Sequence, residues 1–260
     1  MPGIVGIITE QPGRGDAEAH VARMVRSMLH EPSYSHGTYS VPEHGCHLGW
    51  VALPKTYADC NPISSPDGQV TVIFSGEHFS HTSNGNGRAK TGKGSAHELL
   101  SLYQTKGDRF VEDLNGFFSG VVVDRRRGAV LLFNDRFGMG RVYCHQGKDT
   151  LTFASEAKAI LSVRQDARAL DARGVAQFLG VGTAFNNRTL FANVSLLPAG
   201  SCWKVDRPSA IERRQYFHPK AWTEQPRLEP GAFYGTLRET MARVLPAYFR
   251  AAEPVGLSLT

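Results

Sequence analysis

The chain has 260 residues, of which 41% are hydrophobic and 20% charged, and its formal net charge is +5 at pH 7. This length accommodates one large domain with an ample core, or one and a half smaller domains, and the composition is typical of a globular protein. Basic residues are scattered apart from Arg125–Arg127 and a loop near Lys90–Lys93, so a nucleic-acid partner is not indicated. No apolar segment reaches the length of a membrane span and the first residues lack a signal-peptide pattern, so a membrane partner is not indicated either.

Short apolar runs and two helical patterns alternate in the first part of the chain. Apolar residues recur every three to four positions after Asp16 and again after Ser95, which is typical of amphipathic helices, whereas the other apolar runs are short and bounded by turn residues, as in strands. The predicted elements are a strand at Ile4–Thr9, a helix capped by Asp16 and ended by Pro32, strands at Thr38–Val41, Cys46–Leu53 and Val70–Phe74, the last ending in Ser75-Gly76-Glu77, a mobile polar loop at His81–Gly94, and a helix capped by Ser95.

The most regular part of the chain is Leu114–Ile160. Four apolar runs rich in Val, Leu and Phe stand between turns rich in Gly and Asp, which predicts antiparallel strands joined by hairpins. Because Val121–Val123 is continuously apolar, we expect both faces of this sheet to be covered. A helix is predicted next, with Ser155 as its N-cap and Glu156 facing water. The predicted strands are Phe117–Asp124, Ala129–Asn134, Arg141–His145 and Thr150–Ala154.

The last part of the chain is less regular. Helical periodicity returns after Asp171 and after Pro230, and Pro and Gly mark a turn between them. The predicted elements are a helix capped by Asp171, a turn at Ser195–Gly200, a strand at Ser201–Val205, a helix from Pro230 that Pro246 kinks or restarts, and a buried strand at Val255–Thr260.

The cysteines are far apart in the sequence and form no Cys-x-x-Cys pair. Isolated cysteines are typical of reduced thiols, so we expect a cytoplasmic location. The four are Cys46, Cys60, Cys144 and Cys202.

Several short motifs of the central stretch follow one another at short spacings. They are Leu-Asn-Gly-x-Phe from Leu114, Asp-Arg-Phe-Gly from Asp135, Val-Tyr from Val142, and Phe-Ala-Ser-Glu-x-Lys-Ala-Ile from Phe153. In this order they resemble the middle of the glutaminase domain of the asparagine synthetase family, which is a class II glutamine amidotransferase domain. The resemblance implies an α+β fold, the N-terminal-nucleophile (Ntn) hydrolase αββα sandwich of two antiparallel sheets between helices.

The resemblance also implies a domain organisation. Residues 1–205 correspond to a glutamine amidotransferase type 2-like domain, 206–229 to a linker, and 230–260 to the first helix and strand of a truncated α/β ATP-pyrophosphatase (asparagine synthase) domain. The expected partner is therefore the chain's own C-terminal synthetase domain, and a homodimer is compatible with the same picture. ATP and magnesium are expected in the missing C-terminal domain, and no cofactor is expected in this chain.

Glutamine hydrolysis in the family that the chain resembles depends on an N-terminal cysteine, which the free α-amine activates, and on an oxyanion hole from an Asn-Gly-Glu motif. This sequence departs from both. The nucleophile position holds Pro2, and the oxyanion motif reads Ser75-Gly76-Glu77. We therefore assign no catalytic residue, and we treat Ser75, Gly76 and Glu77 as remnants of a substrate-binding site.

Two further substrate-binding motifs of that family are incomplete. Its Asp-x-Glu aligns with Ala96–Glu98, where alanine replaces Asp, and the region of its Arg-Gly-Pro-Asp reads Ser35–Thr38. In the family an Arg holds the glutamine carboxylate and an Asp holds the ammonium group. Together with Pro2, these departures predict that the glutaminase site is inactive.

Three local patterns suggest other chemistry. Self-processing before Cys46 would expose a new N-terminal thiol, although nothing else in the sequence supports it. His44 and Cys46, with His36 and His47 nearby, are candidate metal ligands on one strand face, but a second pair with zinc-like spacing is missing, so we assign no metal site. Gly87–Gly94 nearly matches a phosphate-binding P-loop but lacks its final Ser or Thr, and a flexible connection is the favoured interpretation.

Charged residues in the central turns are interpreted as structural. Asp135 and Arg136 are predicted to form an ion pair in a tight Gly turn, and Glu156 is predicted to have a similar role. Arg125–Arg127 falls in a hairpin turn, which predicts a solvated turn rather than a binding patch.

The leading functional hypothesis is that this domain is a degenerate glutaminase that serves as a scaffold in an asparagine synthetase-like, ATP-dependent amide ligase. Such a protein would use free ammonia or an amine already in its substrate. Relatives of the β-lactam synthetase kind, which also lack the N-terminal Cys, close a ring within one substrate in the second way. The alternatives are a working glutamine-hydrolysing enzyme with an atypical site, an interaction module that binds a carrier or peptide through the Gly-rich loop, and an enzyme that uses Pro2 as a base.

Overall fold

The computed structural model describes residues 2–11, 16–54, 56, 59, 61–79, 93–249 and 256, which form two six-stranded antiparallel sheets with helices outside them. The strands are β1 (Gly3–Thr9), β2 (Ser35–Val41), β3 (Cys46–Ala52), β4 (Ile63–Ser64), β5 (Val70–His78), β6 (Gly116–Asp124), β7 (Ala129–Asn134), β8 (Tyr143–Gln146), β9 (Thr150–Ala154), β10 (Ser195–Leu196), β11 (Ser201–Arg207) and β12 (Ala210–Gln215). The helices are α1 (Ala17–Met28), α2 (Lys93–Lys106), α3 (Ala157–Val163), α4 (Ala172–Val181), α5 (Lys220–Thr223) and α6 (Pro230–Tyr248).

The sheets stack face to face and each has a helical layer on its outer side. The strand order is β10-β8-β9-β1-β3-β2 in the first sheet and β12-β11-β7-β6-β5-β4 in the second. Residues such as Ile4 and Ile73 fill the space between the sheets. Helices α1 and α3 cover the first sheet, where Met24 and Ile160 pack, and α2 covers the second, where Leu99 packs. The predicted four-layer αββα sandwich is confirmed.

The burial of both faces of the central strands follows from their sequences. In β1, Ile4 and Ile8 face the other sheet, whereas Val5 and Ile7 face the helices, as the two-residue period of a strand requires. The continuous apolar run Val121–Val123 in β6 behaves in the same way, so the prediction that it is covered on both faces is confirmed.

The predicted helix starts are partly wrong. Asp171 caps α4 as predicted, since its side chain accepts a hydrogen bond from the N–H of Arg173. Asp16 occupies the cap position of α1 but makes no side-chain cap bond. Helix α2 begins at Lys93, so Ser95 lies inside it, and α3 begins at Ala157 with Glu156 in the cap position instead of Ser155.

The chain after Val205 contains more regular structure than the sequence predicts. Strand β11 extends to Arg207, and β12, within the segment predicted as a linker, pairs with it as the edge strand of the second sheet. Helix α6 continues through Pro246 without interruption. The predicted strand Val255–Thr260 lies outside the described residues except for Gly256, which is exposed. Within the described ranges, no helix has the length and apolar character needed to cross a bilayer.

Candidate functional site

Pro2 and the Ser75–Glu77 segment lie at the same end of the sandwich. At the opposite end, a cavity of about 310 Å³ is lined by Thr9, at the end of β1, and by Gly128 in the β6–β7 turn. That turn adjoins Val70 at the start of β5, because the end of β6 pairs with it. The start of β1 and the end of β5 therefore share the other end, so two of the predicted site regions lie at the same end of the sandwich, one in each sheet.

Ser75, Gly76 and Glu77 lie within strand β5, so the predicted end of this strand at Phe74 is wrong. Strand β5 continues to His78 and stays paired with β6 over this segment. Ser75 and Glu77 share the face of Ile73, which points into the space between the sheets. Ser75 is buried, whereas Glu77 is exposed at the end of the strand, where partial desolvation by the surrounding protein raises the pKa of its carboxyl.

Gly76 has a backbone conformation that only glycine adopts easily. Its φ is +109°, and a Cβ built on it would lie 2.0 Å from the carbonyl oxygen of Phe117 on β6. Val70 and Phe74, at alternate positions of β5, direct their N–H groups away from β6, to the side chains of Ser65 and Asn61. By the same alternation, the N–H of Gly76 points off the edge of the sheet. Gly76 thus presents a backbone donor at the open edge of the sheet.

Asn61 fixes the edge of β5 just before this segment, and the sequence analysis missed it. Its Nδ2 donates to the carbonyl of Phe74 (2.7 Å), and its Oδ1 accepts from the N–H of the same residue (2.9 Å). The amide side chain thereby replaces the next rung of the short β4–β5 ladder. The available signal was an Asn-Pro pair between two apolar runs, which indicates a turn and does not reveal the distant partner.

Replacing Asn61 with alanine is expected to lower the free energy of unfolding by about 1–3 kcal/mol, because both backbone groups of Phe74 lose their Asn61 partner. Urea denaturation checks the value. Asn61→Asp is the matched variant, since it keeps the acceptor and loses the donor, and we expect an intermediate loss. Equal stability of the wild type and Asn61→Ala would contradict the positioning role.

The start of β1 is held tightly by the β9–α3 junction. Ser155 Oγ accepts a hydrogen bond from the N–H of Ile4 at 2.9 Å, which explains why Ser155 does not cap α3. A Cβ on Gly3 would lie 2.4 Å from the Cβ of Ser155, so no larger side chain fits there. Pro2, which precedes this pair, offers only ring methylenes and no thiol or hydroxyl.

Glu156 does not face water, contrary to the prediction. Its side chain is 15% exposed, and its carboxylate lies 3.0 Å from His30 Nε2 and 3.2 Å from Lys158 Nζ. Burial raises the pKa of this carboxyl, but hydrogen bonds, among them those from His30 and Lys158, outweigh burial, so the net pKa is below the usual value. Glu156 therefore ties the segment that follows α1 to the start of α3 as an anion, and the predicted structural role fits this contact.

The other positions aligned with substrate-binding motifs are dispersed. His36 and Thr38 lie exposed on β2, an edge strand of the first sheet. His97 is exposed and Glu98 is half-buried in the first turns of α2. The structure thus places the Ser35–Thr38 region and the Ala96–Glu98 region on different elements.

The hypotheses of an alternative nucleophile and of a metal site gain no support from the structure. Cys46 and Cys144 are buried, and this burial raises the pKa of each thiol to about 12, which makes them unreactive at neutral pH. His44 lies in a 3-10 turn, and Gly45 with φ +57° separates it from β3, so the expectation that it shares a strand face with Cys46 is wrong. Among the described residues, no group of three His, Cys, Asp or Glu side chains is arranged for a metal ion. The near P-loop lies outside the described residues as far as Gly92.

Asp135 is the structural residue that the motif suggested, but its partners differ from the predicted ones. Its buried carboxylate accepts hydrogen bonds from the N–H groups of Phe137 (2.9 Å) and Met139 (3.1 Å) through Oδ1. Through Oδ2 it accepts from Phe118 (3.2 Å) and Gly140 (2.6 Å). The predicted ion pair is therefore wrong, and the turn is instead organised around a carboxylate that satisfies four backbone donors.

Arg136 and the Arg125–Arg127 turn also have structural partners. Arg136 Nη2 donates to the backbone carbonyl of Glu112 at 2.8 Å. The side chains of Arg125–Arg127 are partly exposed and form ion pairs with acidic neighbours, among them Arg126 with Asp67. These contacts agree with the prediction of a solvated turn.

A family model described as "Glutamine amidotransferase domain" matches residues 1–217 of the chain, a range that includes β12. Asparagine synthetase [glutamine-hydrolyzing] 2 of Bacillus subtilis is 33% identical over 105 residues, which cover 39% of the chain and 14% of that protein. Asparagine synthetase [glutamine-hydrolyzing] 1 of the same organism is 22% identical over 271 residues, which cover 100% of the chain and 42% of that protein. The chain thus spans less than half the length of these relatives.

Two solved structures have the same fold. A glutamine phosphoribosylpyrophosphate amidotransferase from B. subtilis aligns with a TM-score of 0.55 and 12% identity over 82% of this chain and 49% of its own. A structure described as the allosteric regulatory enzyme of purine biosynthesis aligns with a TM-score of 0.54 and 13% identity over 82% of this chain and 48% of its own. These alignments confirm the Ntn-hydrolase fold.

Proposed function

Because the chain belongs to the glutamine amidotransferase domain family, we propose that it is the N-terminal part of an asparagine synthetase-like, ATP-dependent amide ligase in which this domain is a scaffold and does not hydrolyse glutamine. The observation that carries the proposal is Pro2 at the head of β1, the position at which glutamine hydrolysis requires a thiol. Without an attacking atom, the amide carbon of glutamine cannot form an acyl-enzyme.

The remnant of the site is consistent with this proposal. The alternation along β5 directs the N–H of Gly76 off the sheet edge, the direction from which a backbone donor can reach a carbonyl oxygen. Ser75 offers a hydroxyl close to the backbone where the family motif has the longer amide of Asn. A residual donor stabilises an oxyanion only if a nucleophile generates one, so the remnant by itself supplies little catalysis.

A downstream ligase domain is the proposed partner. The matched asparagine synthetases of B. subtilis are longer than this chain, and α6 lies beyond the matched residues 1–217. Helix α6 also exposes an apolar stripe at a spacing of four residues, which suits a helix packed against further protein. In this proposal residues 230–260 begin the ATP-pyrophosphatase domain, ATP and magnesium bind there, and the nitrogen comes from ammonia or from an amine of the substrate. The stripe consists of Phe233, Leu237, Met241 and Leu245.

A cytoplasmic location fits the same proposal. The three cysteines within the described ranges are unpaired thiols, and a reducing compartment preserves thiols in this state.

Incubation of the purified chain with glutamine tests the proposal. We expect glutamate release close to the rate in buffer, because loss of the catalytic nucleophile removes on the order of 10⁶-fold in turnover in a serine protease, which also forms an acyl-enzyme. A glutamine-hydrolysing relative with an N-terminal Cys, assayed in parallel, shows that the conditions permit turnover. Glutamate release comparable to that of the relative would overturn the proposal and would favour a working enzyme with an atypical site.

A further inference from the structure

Within the described part of the chain, the ring contact and the side-chain hydrogen bonds between helix α6 and the rest of the domain lie at the C-terminal end of the helix. All described side chains from 218 to 239 are exposed, which includes the first half of α6. The last turn differs, because Tyr248 is half-buried and its ring centroid lies 4.5 Å from that of Phe79. The Tyr248 hydroxyl also lies 3.1 Å from Nδ2 and 3.3 Å from Oδ1 of Asn115. A ring contact and a hydrogen bond thus fix the C-terminal end of α6.

The two partners of Tyr248 belong to the end of the β5–β6 ladder that carries the candidate site. Phe79 follows His78, the last residue of β5, and Asn115 precedes Gly116, the first residue of β6. The N–H of Phe79 donates to the carbonyl of Asn115 at 2.7 Å, so these two residues close the ladder. Gly76 lies on β5, three residues before Phe79. A displacement of Tyr248 would therefore disturb Phe79 and Asn115 and, through them, the end of β5 that includes Gly76.

We infer that Tyr248 is a positioning residue that couples the placement of α6 to the β5 strand end that carries Ser75, Gly76 and Glu77. The inference rests on the proposed function only for the identity of the partner that packs on α6. A partner that packs on the exposed stripe of α6 would thus affect the β5 strand end through the contacts of Tyr248 with Phe79 and Asn115.

Hydrogen exchange of the 260-residue chain tests the coupling. We expect Tyr248→Ala to speed exchange of the Phe79 and Asn115 amides and of the last turn of α6 by about 10-fold or more, because both the ring contact and the hydrogen bond are lost. Tyr248→Phe keeps the ring and should give about a 3-fold effect at the same amides. Tyr234→Ala is the matched control, since Tyr234 lies on the same helix, is 67% exposed and contacts only Phe233 among the rings of the described residues.

Faster exchange confined to the amides near Tyr248 would distinguish a positioning role of this residue from a general contribution to stability. Amides of β1 and β3 should exchange as in the wild type in all three variants. Uniform acceleration throughout both sheets would assign Tyr248 a purely structural role and overturn the inference. Unchanged exchange at Phe79 and Asn115 in Tyr248→Ala would also overturn it. Neither outcome bears on glutamine turnover, so the inference and the proposed function fail independently.

Discussion

Replacement of Asp135 by alanine is expected to lower the free energy of unfolding by about 3–5 kcal/mol, because several buried backbone donors lose their common acceptor at once. The carboxylate accepts from four backbone N–H groups, at distances from 2.6 to 3.2 Å, and its residue is fully buried. One of these donors belongs to Phe118, which pairs with Gly76. The turn therefore supports β6 at the point where β6 supports the candidate site.

Urea denaturation of Asp135→Ala and Asp135→Asn provides the measurement. Asparagine keeps one oxygen but turns an N–H₂ group toward two donors, so we expect it to be destabilising as well, by a smaller amount. Asp206→Ala is the control, because Asp206 is exposed and its nearest cation is 3.7 Å away, and we expect a change within about 0.5 kcal/mol. A loss below about 1 kcal/mol in Asp135→Ala would show that the four hydrogen bonds do not hold the turn.

The central strands could be predicted from the sequence because local and tertiary preferences agree in them. In Ala129–Asn134, for example, the apolar run and its flanking turns coincide with β7 residue for residue. The Asp-Arg-Phe-Gly turn was also recognisable, since Asp and Gly are turn residues. The hydrogen bonds of Asp135 could not be predicted, because the same sequence of an Asp followed by an Arg is compatible with an ion pair between them and with a carboxylate that binds backbone N–H groups.

The predictions that fail do so where a partner distant in sequence decides the structure. Ser155 has the sequence context of an N-cap, but the N–H of Ile4, 151 residues away, takes its hydroxyl instead. The link between Asn115 and Tyr248 spans 133 residues and has no local signature. Strand β12 was not predicted from the sequence for another reason. It is an edge strand with charged residues in its exposed half, which protects the edge from further pairing and removes the apolar pattern that marks inner strands.

Gly76→Ala is the second change with a large expected effect, a loss of about 3–5 kcal/mol together with a displaced strand end. Two terms contribute. A side chain at φ +109° is strained, and the added Cβ would lie 2.0 Å from the carbonyl oxygen of Phe117, which is a backbone atom in a ladder and cannot move alone. Relief of this contact would separate β5 from β6 beside Ser75 and Glu77.

Two other glycines separate the strain of the backbone from the clash. Gly68→Ala has a similar conformational problem, with φ +66°, but its Cβ meets no atom within 4 Å, so we expect a loss of only about 1 kcal/mol. Gly116→Ala has both problems, with φ +141° and a Cβ 2.0 Å from the carbonyl oxygen of Glu77, so its loss should match that of Gly76→Ala. If all three variants lost the same stability, the close approach of β5 and β6 would have no energetic weight. The need for glycine at position 76 would then follow from its φ alone, and the position of the Gly76 N–H would not depend on the close contact between β5 and β6.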